Sequence, residues 1–187
     1  MANHLNSIAM SKTNSVVFKA LHVIAWVIFV GLCIEAGGLI INFLFSLFKP
    51  EFLGNLYQKL DLSELHERKP IAFFGVYSFV LSVAILKAHL FYIVISLMHK
   101  MDLSKPFSSY IEKQISQISY YTLAIGFLSH IARQFVKGLM KNGYLTDGLN
   151  QFWADSQAFI LMGAVIYIIA VIFKRGIELQ NEQDLTV

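Results

Sequence analysis

Long apolar runs decide what this chain can fold into. Four stretches, at about 18–48, 71–98, 115–140 and 152–173, are long enough to cross a bilayer, which takes about 20 mostly apolar residues. The apolar residues are blocked rather than alternating, so no half-wet soluble core is patterned into the chain. Only 14% of the residues are charged, against about 25% in a typical soluble domain. Mean hydropathy is +0.59. Lipid offers no hydrogen bonds to a bare backbone, and a helix satisfies its own. The expected fold is therefore all-α: an integral membrane four-helix bundle, one domain over 1–187, with residues 174–187 as a tail.

The third stretch is the least apolar. Ser116, Ser119, Thr122, Gly126, Ser129, Arg133 and Lys137 recur every three or four residues and share one helical face. A polar stripe on a span faces other helices or a wet cavity. Ile118, Tyr121, Ile125, Leu128 and Phe135 are then expected to face lipid. In the longest loop, Pro50 starts a run in which Phe52, Leu53, Leu56, Tyr57 and Leu60 keep helical spacing. That pattern predicts a short amphipathic helix on the membrane surface. The first span is too long for a signal peptide's apolar core and is read as retained. Basic residues are nearly balanced between the two sides; those beside short segments favour cytoplasmic termini and a multi-pass protein of the plasma membrane.

Glu35 and Lys87 sit near the middle of the first and second spans. A charge at that depth costs roughly 2.5–3.5 kcal/mol on insertion scales. Antiparallel neighbours would bring the two to one depth, and Gly31, Ala36, Gly37 and Gly38 would allow close approach. They are expected to pair, either to fix helix register or as a protonatable centre. His130 and Arg133 on the third span, with Asp155 at the start of the fourth, complete the intramembrane polar set. His22, His89 and His130 lie at poorly matched depths, which disfavours haem, although a His22–His99 pair at one end stays open. No cofactor or metal site is expected. The one cysteine, Cys33, allows no disulfide within the chain. Catalytic motifs are absent: no His-Glu-x-x-His, no Gly-x-Ser-x-Gly and no phosphate-binding loop. The chain is therefore not expected to be an enzyme. The net charge of +3 includes no basic arm, so direct nucleic-acid binding has little support.

Two short stretches stand out by wording. One is Lys105-Pro106-Phe107 between the second and third spans. The other is Phe173-Lys174-Arg175-Gly176, followed by Glu178-Leu179-Gln180 and Asp184-Leu185-Thr186-Val187. With these, the chain resembles a family of small four-span bacterial membrane proteins classed as a domain of unknown function. The resemblance covers most of the chain and carries over no catalytic residue. It implies a bacterial inner-membrane protein, often encoded near a small helix-turn-helix regulator. Lys105, Pro106, Phe107, Lys174, Arg175 and Asp184 are the expected partner-binding residues. The expected function is that of a regulatory or sensor component acting through a cytoplasmic protein. The alternative is a transporter or channel component using the polar interior. Besides the bilayer and that protein, the sequence leaves room for an oligomer.

Overall fold

The computed structural model of the chain describes residues 2–48, 62–101, 107–144 and 148–184. They form helices α1 (Ala2–Phe48), α2 (Ser63–Arg68), α3 (Pro70–Lys100), α4 (Ser109–Lys141) and α5 (Ser156–Asp184), with a short 3-10 turn at Leu149–Phe152. No strand occurs among the described residues. The surface helix expected over 49–60 lies outside the described residues, as do Lys105 and Pro106. Asp184 closes α5, and its side chain is likewise outside what is described.

Local chemistry sets several of the element starts. Pro70 opens α3 in the first turn, where its missing N–H costs no hydrogen bond. Ser108 caps α4, its hydroxyl accepting from the Ile111 N–H at 3.3 Å. Gly148, at φ 84°, turns the chain into the 3-10 segment through a conformation that few other residues adopt. α1 begins well before the apolar run because its first residues contain no helix breaker.

Three segments are long and apolar enough to cross a membrane: Val16–Phe48, Pro70–Lys100 and Leu149–Glu182. Their outward faces are apolar and bare. Val27, Ile34, Leu161, Ile168 and Ile172 are all more than half exposed, far more contiguous apolar surface than a soluble monomer shows. α4 is not in that set. Its polar residues point inward instead: Ser119, Thr122 and Ser129 are buried.

The packing follows chain order. α1 lies on α3, α3 on α4, and α4 most extensively on α5. Neighbours run antiparallel: Phe43 meets Tyr77 while Phe29 meets Tyr92, and Phe79 meets Phe135 while His89 meets Tyr121. No pairing of comparable extent joins α1 to α5 among the described residues. The bundle is thus an open row with α3 and α4 in its middle.

That position overturns the lipid face expected for α4. Ile125 is fully buried, clustered with Val83 and Leu90 of α3, and Ile118, Tyr121 and Leu128 pack on the same cluster. α4 has a helix on two sides, so both its polar stripe and its apolar stripe are covered. Of the five residues expected in lipid, only Phe135 is exposed, and its ring still touches Phe79. Tyr120, Phe127 and Ile131 face outward instead.

The α4–α5 contact is unusually close. A Cβ on Gly126 would come within 2.6 Å of the Ile160 side chain and 2.8 Å of its backbone nitrogen. A Cβ on Gly163 would lie 2.9 Å from the Leu123 nitrogen. The Ser119 hydroxyl donates to the Gly163 carbonyl at 3.0 Å. On α5, Ser156, Gly163 and Ala170 recur every seven residues and are all buried. Small residues on both helices let the backbones meet, and dispersion and short hydrogen bonds then hold a contact that lipid cannot drive.

Candidate functional site

The expected intramembrane centre does not assemble. Glu35 and Lys87 do share a depth, since α1 and α3 are antiparallel, but their side chains do not meet. α1 meets α3 through Ala36 and Leu39. Glu35, one residue before Ala36, is turned about 100° off that contact. It is half-buried and makes no hydrogen bond or ion pair with another described residue. The Lys87 ammonium lies 5.7 Å from the centre of the Phe159 ring on α5, a cation–π contact in place of the expected ion pair. Gly31 and Gly37 have open space where a Cβ would be, so they pack against nothing described.

Arg133 and Asp155 do not pair either. No ion pair joins them among the described residues. Asp155 is exposed, its carbonyl accepting from the Phe159 N–H at 3.0 Å. His130 is exposed. His22 and His99 do come together, edge to face at 6.3 Å between ring centres, and His22 Nε2 accepts from the Trp26 indole at 3.2 Å.

The residues named in the second loop and the tail behave differently. Phe107, at the start of the segment leading into α4, packs its ring, tilted by 43°, against Phe173 of α5 at 5.3 Å between ring centres. One turn on, Gly176 faces the same ring. A Cβ there would sit 3.0 Å from a Phe107 ring carbon. A side chain at 176 would press on the Phe107 ring, which would have to give way. Two stretches about 70 residues apart in sequence thus form one surface.

Beside that contact lies a cleft of about 310 Å³ between the start of α4 and the end of α5. Glu112, Ser116 and Tyr120 line it from α4; Tyr167, Ala170, Val171, Lys174, Arg175 and Glu178 line it from α5. The spacing explains the two walls. Residues 112, 116 and 120 keep a period of four, and 167, 171, 174 and 178 step by three or four. The Ser116 hydroxyl donates to Glu112 Oε1 at 3.0 Å. Arg175 Nη1 donates to Glu178 Oε2 at 3.0 Å. That pair is exposed and contributes at most a few tenths of a kcal/mol. Tyr120 and Tyr167 stand 6.2 Å apart between ring centres at the apolar end.

Lys174 and Arg175 are thus the two expected residues that open onto a built cavity. Glu112, Tyr120 and Tyr167 are not among the expected site residues, and Glu178 stands out only as part of the tail's wording. The sign was there, a polar residue every fourth position on the first two turns of α4, but it had no meaning until α5 supplied the opposite wall. Chemically the cleft offers two carboxylates, two cations, a hydroxyl and two phenols. Among the described residues no group of three or more His, Cys, Asp or Glu side chains could hold a metal ion.

A family model described as "Protein of unknown function (DUF2975)" matches residues 55–187. No curated protein and no solved structure matches the chain. Every residue of the cleft lies within the matched range, whereas α1 with Glu35 lies outside it.

Proposed function

The chain belongs to the family "Protein of unknown function (DUF2975)", and from that premise we propose that it is a non-enzymatic regulatory or sensor component acting through a cytoplasmic partner. One observation carries the reading: the Phe107 contact with Phe173 and Gly176 joins the second loop to the tail-bearing end of α5, beside a charged cleft. In this reading that rim faces the cytoplasm. A ligand in the cleft touches the last turns of α5, and α5 continues as one helix into the tail, so occupancy reaches the partner through a rigid rod. The tail beyond Gly176 carries Glu178, Glu182 and Asp184 and no basic residue. Such a segment suits a basic protein surface.

The partner the reading names is a small helix-turn-helix regulator of the kind encoded near genes of similar proteins. Its DNA-binding face is basic by necessity, and an acidic tail competes for the same charges. The expected result is that removing Asn181–Val187 abolishes co-purification of that regulator with the membrane-inserted chain. Undiminished recovery would sink the proposal.

The rival reading, a transporter or channel component, draws on Glu35 and Lys87. Lys87 lies over the Phe159 ring of α5, and Glu35 forms no ion pair with it. The cleft is the better-built site.

A further inference from the structure

We infer that the α4–α5 cleft binds a zwitterionic phospholipid headgroup carrying a primary ammonium, that of phosphatidylethanolamine. This deepens the proposed function, on which it rests, by naming the ligand class of the same cleft.

Charge count comes first. Glu112 and Glu178 balance Lys174 and Arg175, so the cleft as a whole is neutral. Arg175 and Glu178 already bond each other at 3.0 Å. Two ionic groups are left. Lys174 makes no ion pair among the described residues, and Glu112 holds only the Ser116 hydroxyl, on one of its two oxygens. They stand on opposite walls, one on each helix. One spare cation facing one spare carboxylate asks for a ligand with one anion and one cation. A purely anionic headgroup would meet the carboxylates as well as the lysine.

Depth comes second. Residues 156–173 carry no charge, and Lys174 and Arg175 are the first cations after them. That boundary marks the edge of the hydrocarbon, where basic side chains meet lipid phosphates. Tyr120 and Tyr167 lie one to two turns inside it, at the level aromatic residues prefer. Tyr120, Tyr167 and Val171 are also exposed on the lipid-facing side, so the cleft opens sideways toward acyl chains. A water-soluble zwitterion would have no use for that apolar end. The volume of about 310 Å³ suits a headgroup and not a whole lipid.

The ammonium decides between headgroups. Glu112 accepts hydrogen bonds, and a primary ammonium donates three, whereas a choline donates none. The phosphate would lie on Lys174 with Arg175 nearby, and the ammonium on Glu112.

The test is lipid retention by the full-length chain, transferred from vesicles containing equal phosphatidylethanolamine, phosphatidylcholine and phosphatidylglycerol and read by mass of the protein–lipid complex. Wild type is expected to retain phosphatidylethanolamine about tenfold over either other lipid. Glu112→Gln should erase the preference over phosphatidylcholine, and Lys174→Gln should lower retention of both phosphate zwitterions. Glu67→Gln, at an exposed position of α2 away from the cleft, should change nothing. Equal retention of the three lipids would overturn the inference. So would retention that follows negative charge, or selectivity unchanged in Glu112→Gln. Soluble glycerophosphoethanolamine is a further arm; if it displaces the lipid at equal concentration, the free headgroup and not the lipid is the ligand. Should selectivity be absent while the tail deletion still abolishes regulator binding, the lipid assignment fails and the docking reading stands.

Discussion

Gly126→Ala is expected to destabilise the folded chain by about 2–3 kcal/mol, close to the upper end for overpacking a filled contact. The added methyl would sit 2.8 Å from the Ile160 nitrogen and 3.1 Å from the Ser156 carbonyl oxygen. Backbone atoms cannot swing away as a side chain can, so α4 and α5 must separate. Separation stretches the Ser119 bond to the Gly163 carbonyl and opens the most extensive contact in the molecule. Gly163→Ala should act alike, against the Leu123 nitrogen at 2.9 Å. Gly138→Ala supplies the control. Nothing lies within 4 Å of its Cβ position, and alanine is the better helix former by about 1 kcal/mol. Midpoints of thermal unfolding in mild detergent should therefore fall for Gly126→Ala and hold or rise for Gly138→Ala. Equal midpoints would mean that the two helices are not in backbone contact.

Gly176→Leu is expected to weaken binding of the proposed cytoplasmic regulator at least about tenfold, some 1.4 kcal/mol, with little loss of stability. The Phe107 ring already lies at 3.0–3.1 Å from the Cβ position. A leucine there expels it from α5 and breaks its contact with Phe173. The site is at the end of the bundle, and Phe107 is itself 46% exposed, so little buried surface is lost. Phe107→Ala should produce the same binding defect by removing the ring. The check is titration of the purified regulator against the chain in lipid nanodiscs, with unfolding midpoints measured on the same samples. Wild-type binding by both variants would separate the rim from the partner site.

The fold was largely legible from residue order. Blocks of apolar residues, too long and too even for a soluble core, gave the helices, although α1 starts sixteen residues before the expected span and α5 runs eleven residues past it, into the expected tail. The inward stripe of Ser119, Thr122, Gly126 and Ser129 was readable too, because a polar face must be covered in lipid. Which helix covers the rest was not. Ile125 reads as a lipid-facing residue on any isolated span, and only the position of α4 between α3 and α5 buries it. The same limit governs Glu35 and Lys87. Depth follows from counting residues along antiparallel helices, and the two do match in depth. Facing depends on the rotation of each helix, which packing at Ala36, Leu39 and Tyr77 decides and charge does not. Tyr77 shows the strength of that packing: its hydroxyl, fully buried, donates to the Leu39 carbonyl at 3.0 Å. For the cleft, the wording around Phe107 and Phe173 marked the place, while Glu112 and Tyr120 required the opposite wall to be recognised.

The most direct test of the rim as the docking site is site-specific photo-cross-linking in intact membranes. A photoreactive side chain replaces Leu179, exposed on α5 below Gly176, or Ile34, exposed on the apolar face of α1. The regulator should cross-link from position 179 and not from 34. Capture from 34 with none from 179 would contradict the assignment of the rim as the docking site of the proposed partner.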